Sequence, residues 1–140
     1  MTASAELDRP LPVITPETAH FWEGTREGEL RLQRCSDCER VYFPPRPFCP
    51  SCTGTHIATV VASGRATLVS YVISHLPAPG FTPPYVIAIV ALEEGPQMLT
   101  NIVGCDPSPE ALELDMPLRV QFTRATDDIT LVLFAPAQRA

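Results

Sequence analysis

Cys35, Cys38, Cys49 and Cys52 form two C-x-x-C pairs separated by ten residues, and no other feature of the chain constrains its fold as tightly. Each pair sets two thiolates on one tight turn. Two such turns brought together make a tetrahedral S4 cage that suits Zn²⁺, with Zn–S near ~2.3 Å. With thiolate at all four corners no position is left for water or substrate, so the site is expected to be structural rather than catalytic. Iron in an S4 site is the alternative metal. Cys49-Pro50-Ser51-Cys52 alone would also fit a redox dithiol, but no βαβ pattern surrounds it and a second pair sits nearby. Cys105 has no partner at ligand spacing and reads as a small apolar residue.

The 140 residues can bury one good core or two small units. A ribbon of about 25 residues makes no core, so the metal is expected to replace one. No apolar run is long enough to span a bilayer, and no basic-then-apolar signal opens the chain. Thiols poised for metal fit a reducing compartment, and a cytoplasmic protein is expected.

The net charge is −6, and every basic residue is Arg. A fully ionised Zn(Cys)4 centre adds two further negative charges. Residues 61–140 set Arg65, Arg119, Arg124 and Arg139 against eight acids, a net of −4. A surface built to hold phosphodiester backbones leans the other way, so no nucleic-acid partner is expected. Arg31, Arg34, Arg40 and Arg46 face only Asp37 and Glu39 around the cysteines. That arrangement fits one anionic ligand, an acidic partner or simply scattered solvated arginines.

Residues 1–14 carry Pro10 and Pro12 and no periodicity, and read as an extended arm. Thr15-Pro16-Glu17-Thr18 has the marks of a helix start, which predicts a helix from Pro16 to about Glu27 ended by Gly28. Phe21 and Trp22 are adjacent on it and point in different directions, so one can pack inside while the other meets a partner. Glu29–Arg34 alternates like a strand, with Val41–Phe43 as its return. From Ala58 the character changes. Thr59–Ala62, Thr67–His75, Tyr85–Leu92, Gln97–Val103, Leu118–Thr123 and Thr130–Phe134 are six β-like stretches, and Pro109–Leu114 reads as one or two helical turns. This pattern matches a small closed barrel. Four prolines and a glycine surround Phe81 in the Pro77–Pro84 loop. Such a loop is stiff, cannot pair into a sheet, and offers an aromatic tip that loses little entropy on docking. Phe21, Trp22 and Phe81 are thus the candidate partner-interface residues.

No Gly-rich phosphate loop, H-E-x-x-H or G-x-S-x-G occurs, and His20, His56 and His75 are scattered. No catalytic residue is assigned, no cofactor-binding residue is identified, and the chain alone does not read as an enzyme.

The chain resembles the zinc-ribbon plus OB-fold family known as domain of unknown function 35. The resemblance is carried by Arg31–Cys38 (R-L-Q-R-C-S-D-C), Phe43–Cys52 (F-P-P-R-P-F-C-P-S-C) and the strand from Ser63 to Tyr71 (S-G-R-A-T-L-V-S-Y). Pro84–Ala88, Leu92–Pro96 and Leu99–Gly104 complete it, over about residues 15–136. The chain departs from the family where Ala66 stands near a second glycine and where Asp115 replaces a glycine before Met116. The resemblance implies a mainly β fold: an N-terminal arm and helix over 1–28, a rubredoxin-like zinc ribbon over 29–57, and an OB-fold barrel over 58–140. It also implies a non-catalytic accessory subunit of a thiolase-like enzyme (aldolase, thiolase or acyltransferase) acting on acyl-CoA thioesters, with steroid side-chain degradation as one setting. The expected assembly is a hetero-oligomer in which acyl-CoA is met through the complex. A free-standing acyl-CoA binder, which the arginines permit, and a nucleic-acid-binding ribbon–OB protein are the competing readings.

Overall fold

The computed structural model describes residues 9–137. The first eight residues of the expected arm and the last three of the expected barrel segment lie outside the described residues. Thr15 and Thr18 fold onto each other instead of opening the helix. The Thr18 amide donates to the Thr15 carbonyl at 3.0 Å, and the Thr15 amide donates to Thr18 Oγ1 at 3.0 Å. Helix α1 therefore spans Ala19–Arg26, starting later than Pro16, with the Thr18 carbonyl accepting from Phe21 and Trp22. Its end is as expected. Gly28, at φ 77, donates to the Thr25 carbonyl at 3.1 Å and Glu29 donates to that of Gly24 at 2.8 Å. These two bonds form a Schellman motif, whose left-handed residue glycine adopts without strain.

Three short strands make the ribbon sheet: β1 (Arg31–Cys35), β2 (Val41–Tyr42) and β3 (Ile57–Val61), in the order β2-β1-β3. The stretch expected as a first barrel strand, Thr59–Ala62, is thus mostly β3. It pairs antiparallel with β1 from Cys35↔Ile57 to Arg31↔Val61. The chain leaves the second cysteine turn beside the open edge of β1, and pairing there satisfies its backbone groups without a crossing.

The remaining strands are β4 (Arg65–Ser74), β5 (Tyr85–Leu92), β6 (Gln97–Ile102), β7 (Pro117–Arg124) and β8 (Thr130–Pro136), and they close a barrel in the order β4-β5-β6-β8-β7. All contacts are antiparallel except β6–β8, which pair in parallel at Ile102↔Phe134. This is the five-stranded OB-fold. The expected helix at Pro109–Leu114 is only a turn, with the Ala111 amide on the Ser108 carbonyl at 3.1 Å and the Leu112 amide on that of Pro109 at 3.4 Å. Six residues do not cover the cost of helix nucleation. The Glu113 amide already turns to Met116 Sδ, at 3.4 Å, and that of Asp115 donates to the Leu68 carbonyl at 2.7 Å, so the chain is tied to β4 instead. Asp115 takes φ 67 there, the conformation for which the family's glycine is suited.

One apolar cluster joins all the parts. It holds Leu30 and Leu32 of the ribbon side, Phe21 of α1, and Leu68, Val86, Val90, Leu118 and Phe134 of the barrel. Phe21 is the bridge: its ring meets Trp22 at 4.9 Å and Phe43 of the ribbon at 5.2 Å. Arg26 secures the far end of α1 by donating to the Asp128 carbonyl in the β7–β8 turn at 2.8 Å.

Candidate metal centre and partner face

The two cysteine turns are built alike. The Cys35 amide donates to the Arg40 carbonyl at 2.9 Å, and the Cys49 amide to that of Gly54 at 2.8 Å. The Glu39 amide returns to the Cys35 carbonyl at 2.8 Å, and the Thr53 amide to that of Cys49 at 3.0 Å. Glu39 and Thr53, each following the second cysteine of its pair, take φ 65 and 63. The sequence gives no sign of these left-handed residues, because neither is Gly, Asn or Asp. Arg40 joins the turns by donating to Ser51 Oγ at 2.5 Å.

The four sulfurs lie within 4.8 Å of one another, with Cys35–Cys52 and Cys38–Cys49 each at 3.5 Å. A disulfide needs ~2.05 Å, whereas a ZnS4 tetrahedron with Zn–S of ~2.3 Å has edges of about 3.8 Å. The donor chemistry fits as well. Amides of Cys52 and Ser51 directed at its sulfur hold Cys49 at about 6. Cys52 is pushed up to about 12: the Gly54 amide favours its thiolate, but Cys35, burial and the other two cysteines outweigh it. Thiolates crowded this closely resist the loss of the last proton, and a dication removes that resistance. Cys35 and Cys49 are fully buried while Cys38 and Cys52 face outward. The site holds structural Zn²⁺, and it supplies fold rather than reaction chemistry.

His56 is no ligand: its Nδ1 lies 3.3 Å from Asp37 Oδ2 on the surface. Cys105 is half-buried against the core, and burial pushes its thiol up, so it is a packing residue. Two of the four arginines around the cysteines form ion pairs within the protein. Arg31 pairs with Glu29 at 2.9 Å and Glu27 at 3.3 Å, and Arg34 with Glu39 at 2.6 Å.

Of the helix aromatics, Phe21 faces inward at 4% exposure, and Trp22 is half-buried. Phe81 is half-buried and stacks on Tyr85 at 4.6 Å with 23° between the rings. Tyr85, at the start of β5, thus stands on the barrel's outer face, opposite the buried Val86, Ala88 and Val90. Ala78–Phe81 is a tight turn, closed by the Phe81 amide on the Ala78 carbonyl at 3.0 Å, with Pro79 and Gly80 (φ 77) at its centre. The structure brings Trp22 and Phe81 to one groove of about 300 Å³, lined also by Phe21, Phe43, Met98 and Leu99. It opens where β6 and β8, paired at one position, splay apart. Leu99 is 72% exposed there, and β5 and β6 carry no charged residue. Sequence reading passed over Leu99; its place opposite Ile89 in the β5–β6 ladder would have marked an apolar outer row.

Residues 22–56 match the family model of the ChsH2 rubredoxin-like zinc ribbon domain, and residues 59–123 that of the ChsH2 C-terminal OB-fold domain. The chain is 42% identical over 112 residues to the 3-oxo-4,17-pregnadiene-20-carboxyl-CoA hydratase alpha subunit of Mycobacterium tuberculosis, covering 79% of this chain and 35% of the relative. It thus spans about a third of that relative's length. A DUF35 domain-containing scaffold protein of Methanocaldococcus jannaschii is 37% identical over 98 residues, 68% of each chain. Among solved structures, a chain of an Ltp2-ChsH2(DUF35) aldolase superposes with a TM-score of 0.81 at 36% identity, covering 90% of this chain and 98% of that one.

Proposed function

The chain belongs to the DUF35 family of rubredoxin-like zinc ribbon plus OB-fold proteins, and from that premise we propose that it is a non-catalytic accessory subunit of a thiolase-like enzyme acting on acyl-CoA thioesters. The observation that carries this reading is its likeness, over nearly the whole of that chain, to one from an Ltp2-ChsH2(DUF35) aldolase. The relative named for a pregnadiene-carboxyl-CoA substrate favours steroid side-chain breakdown as the setting. The chemistry is assigned to the partner, and to this chain the positioning of the partner's loops or substrate channel. The closed S4 centre agrees, since it offers no coordination position to a substrate. The docking surface contains Trp22 and Phe81, with Phe21 behind them as support. We place the complex in a reducing, cytoplasmic compartment. Affinity purification of the zinc-loaded chain, with the pair then assayed on acyl-CoA esters, tests the proposal. A thiolase-like subunit is expected to co-purify and to turn over acyl-CoA only weakly when this chain is withheld. Turnover by this chain alone would overturn the reading.

A further inference from the structure

We propose that residues 9–14 are a strap that fixes Phe81 and ties the 77–84 loop to helix α1, making one preordered docking surface of two distant segments. What docks there rests on the accessory-subunit reading; the strap itself is a property of this chain. The Arg9 guanidinium lies over the Phe81 ring, 3.9 Å from its centroid, and Tyr85 covers the opposite face at 4.6 Å. Phe81 is therefore clamped between a cation and a second ring, an arrangement favoured by the negative face of the aromatic. The backbone joins in. A Cβ on Gly80 would stand 2.5 Å from the Arg9 nitrogen and 2.6 Å from its Cα, so the strap lies directly on the loop where only glycine admits it. Among the described residues the 77–84 loop has no sheet partner outside itself, its one bridge being Ala78↔Phe81, so the clamp contributes directly to the ring's direction.

From Arg9 the strap runs without regular structure to Thr15, where the Thr15–Thr18 turn passes it to α1. Arg9 lines the groove together with Trp22, Phe81 and Leu99, so the strap borders the same surface that those side chains form. Val13 and Ile14 of the strap are themselves exposed apolar residues, at 82% and 36%. A surface ordered before docking forfeits less entropy when the partner arrives.

The test compares the zinc-loaded parent with Arg9→Ala and Arg9→Lys, by amide hydrogen exchange across residues 78–85 and by affinity for the co-purified thiolase-like subunit. Arg9→Ala is expected to speed exchange in the loop and to weaken assembly, each by roughly threefold to tenfold. Arg9→Lys keeps a cation over the ring and is expected to recover most of both, with zinc content unchanged throughout. Unaltered exchange in Arg9→Ala would overturn the strap, whatever the partner does. Faster exchange with unaltered assembly would overturn its part in docking. If the parent binds no such subunit, the accessory reading fails, and the exchange comparison still decides the strap.

Discussion

Thr53 takes φ 63 to bring the second cysteine turn back over Cys49, and a β-branched side chain resists that conformation. Thr53→Gly is expected to raise the unfolding free energy of the zinc-loaded protein by about 1 kcal/mol, read from chemical denaturation. The ligands themselves tolerate no such change. One zinc per chain is expected on elemental analysis. Cys35→Ser and Cys49→Ser should each lose it and destabilise residues 29–57, which have little else to order the turns. Reduced protein containing neither zinc nor iron would contradict this. His20 makes a subtler contribution. Its Nε2 is buried with no hydrogen-bond partner among the described residues, and burial first, then the Arg31 charge, push its pKa down against an opposing effect of Glu23. The unfolded chain therefore takes up a proton on His20 before the folded one does. Stability is intact above about pH 6.5 and falls as pH drops from there toward the lower folded value. His20→Gln should lose less stability than the parent between neutral and mildly acidic pH, measured as denaturation midpoints with zinc in excess.

At the level of elements, helix α1 faces two ways, and the two sides predict different outcomes. Phe21 is buried against Phe43 and the barrel, so Phe21→Ala is expected to cost about 3–5 kcal/mol of stability. Trp22 and Phe81 sit at the groove rim, and truncating either should leave zinc bound and weaken partner assembly by about 2 kcal/mol. Isothermal titration alongside thermal unfolding separates the two kinds of loss. Equal assembly by Trp22→Ala, Phe81→Ala and the parent would move the interface elsewhere.

For the molecule as a whole, what was legible in the sequence was what depends on near neighbours. The four cysteines announce their cage because ligand spacing is local, and alternating stretches locate the barrel strands to within a few residues. Pairing is not local: nothing in Thr59–Ala62 says that it completes the ribbon sheet at β1 rather than the barrel. Thr15-Pro16-Glu17-Thr18 suits a turn as well as a helix start, and the choice falls to the bond between the Thr15 amide and the Thr18 hydroxyl. The contact of Arg9 with Phe81 lies between segments far apart in the chain, so no motif could show it. The acidic balance was readable at once, and the fold adds to it: the OB face that carries nucleic acid in other proteins is here uncharged along β5 and β6, with an apolar row on β5 extended by Leu99 of β6. Such a face suits a protein partner.

The most direct test of the accessory role is reconstitution. The zinc-loaded chain and its co-purified thiolase-like subunit are mixed in known ratios, and acyl-CoA turnover is followed for each alone and for the pair. The expected result is no turnover by this chain, weak turnover by the subunit, and a rise that saturates as a defined complex forms. Turnover by this chain alone, or a subunit whose rate is the same with and without it, would contradict the account.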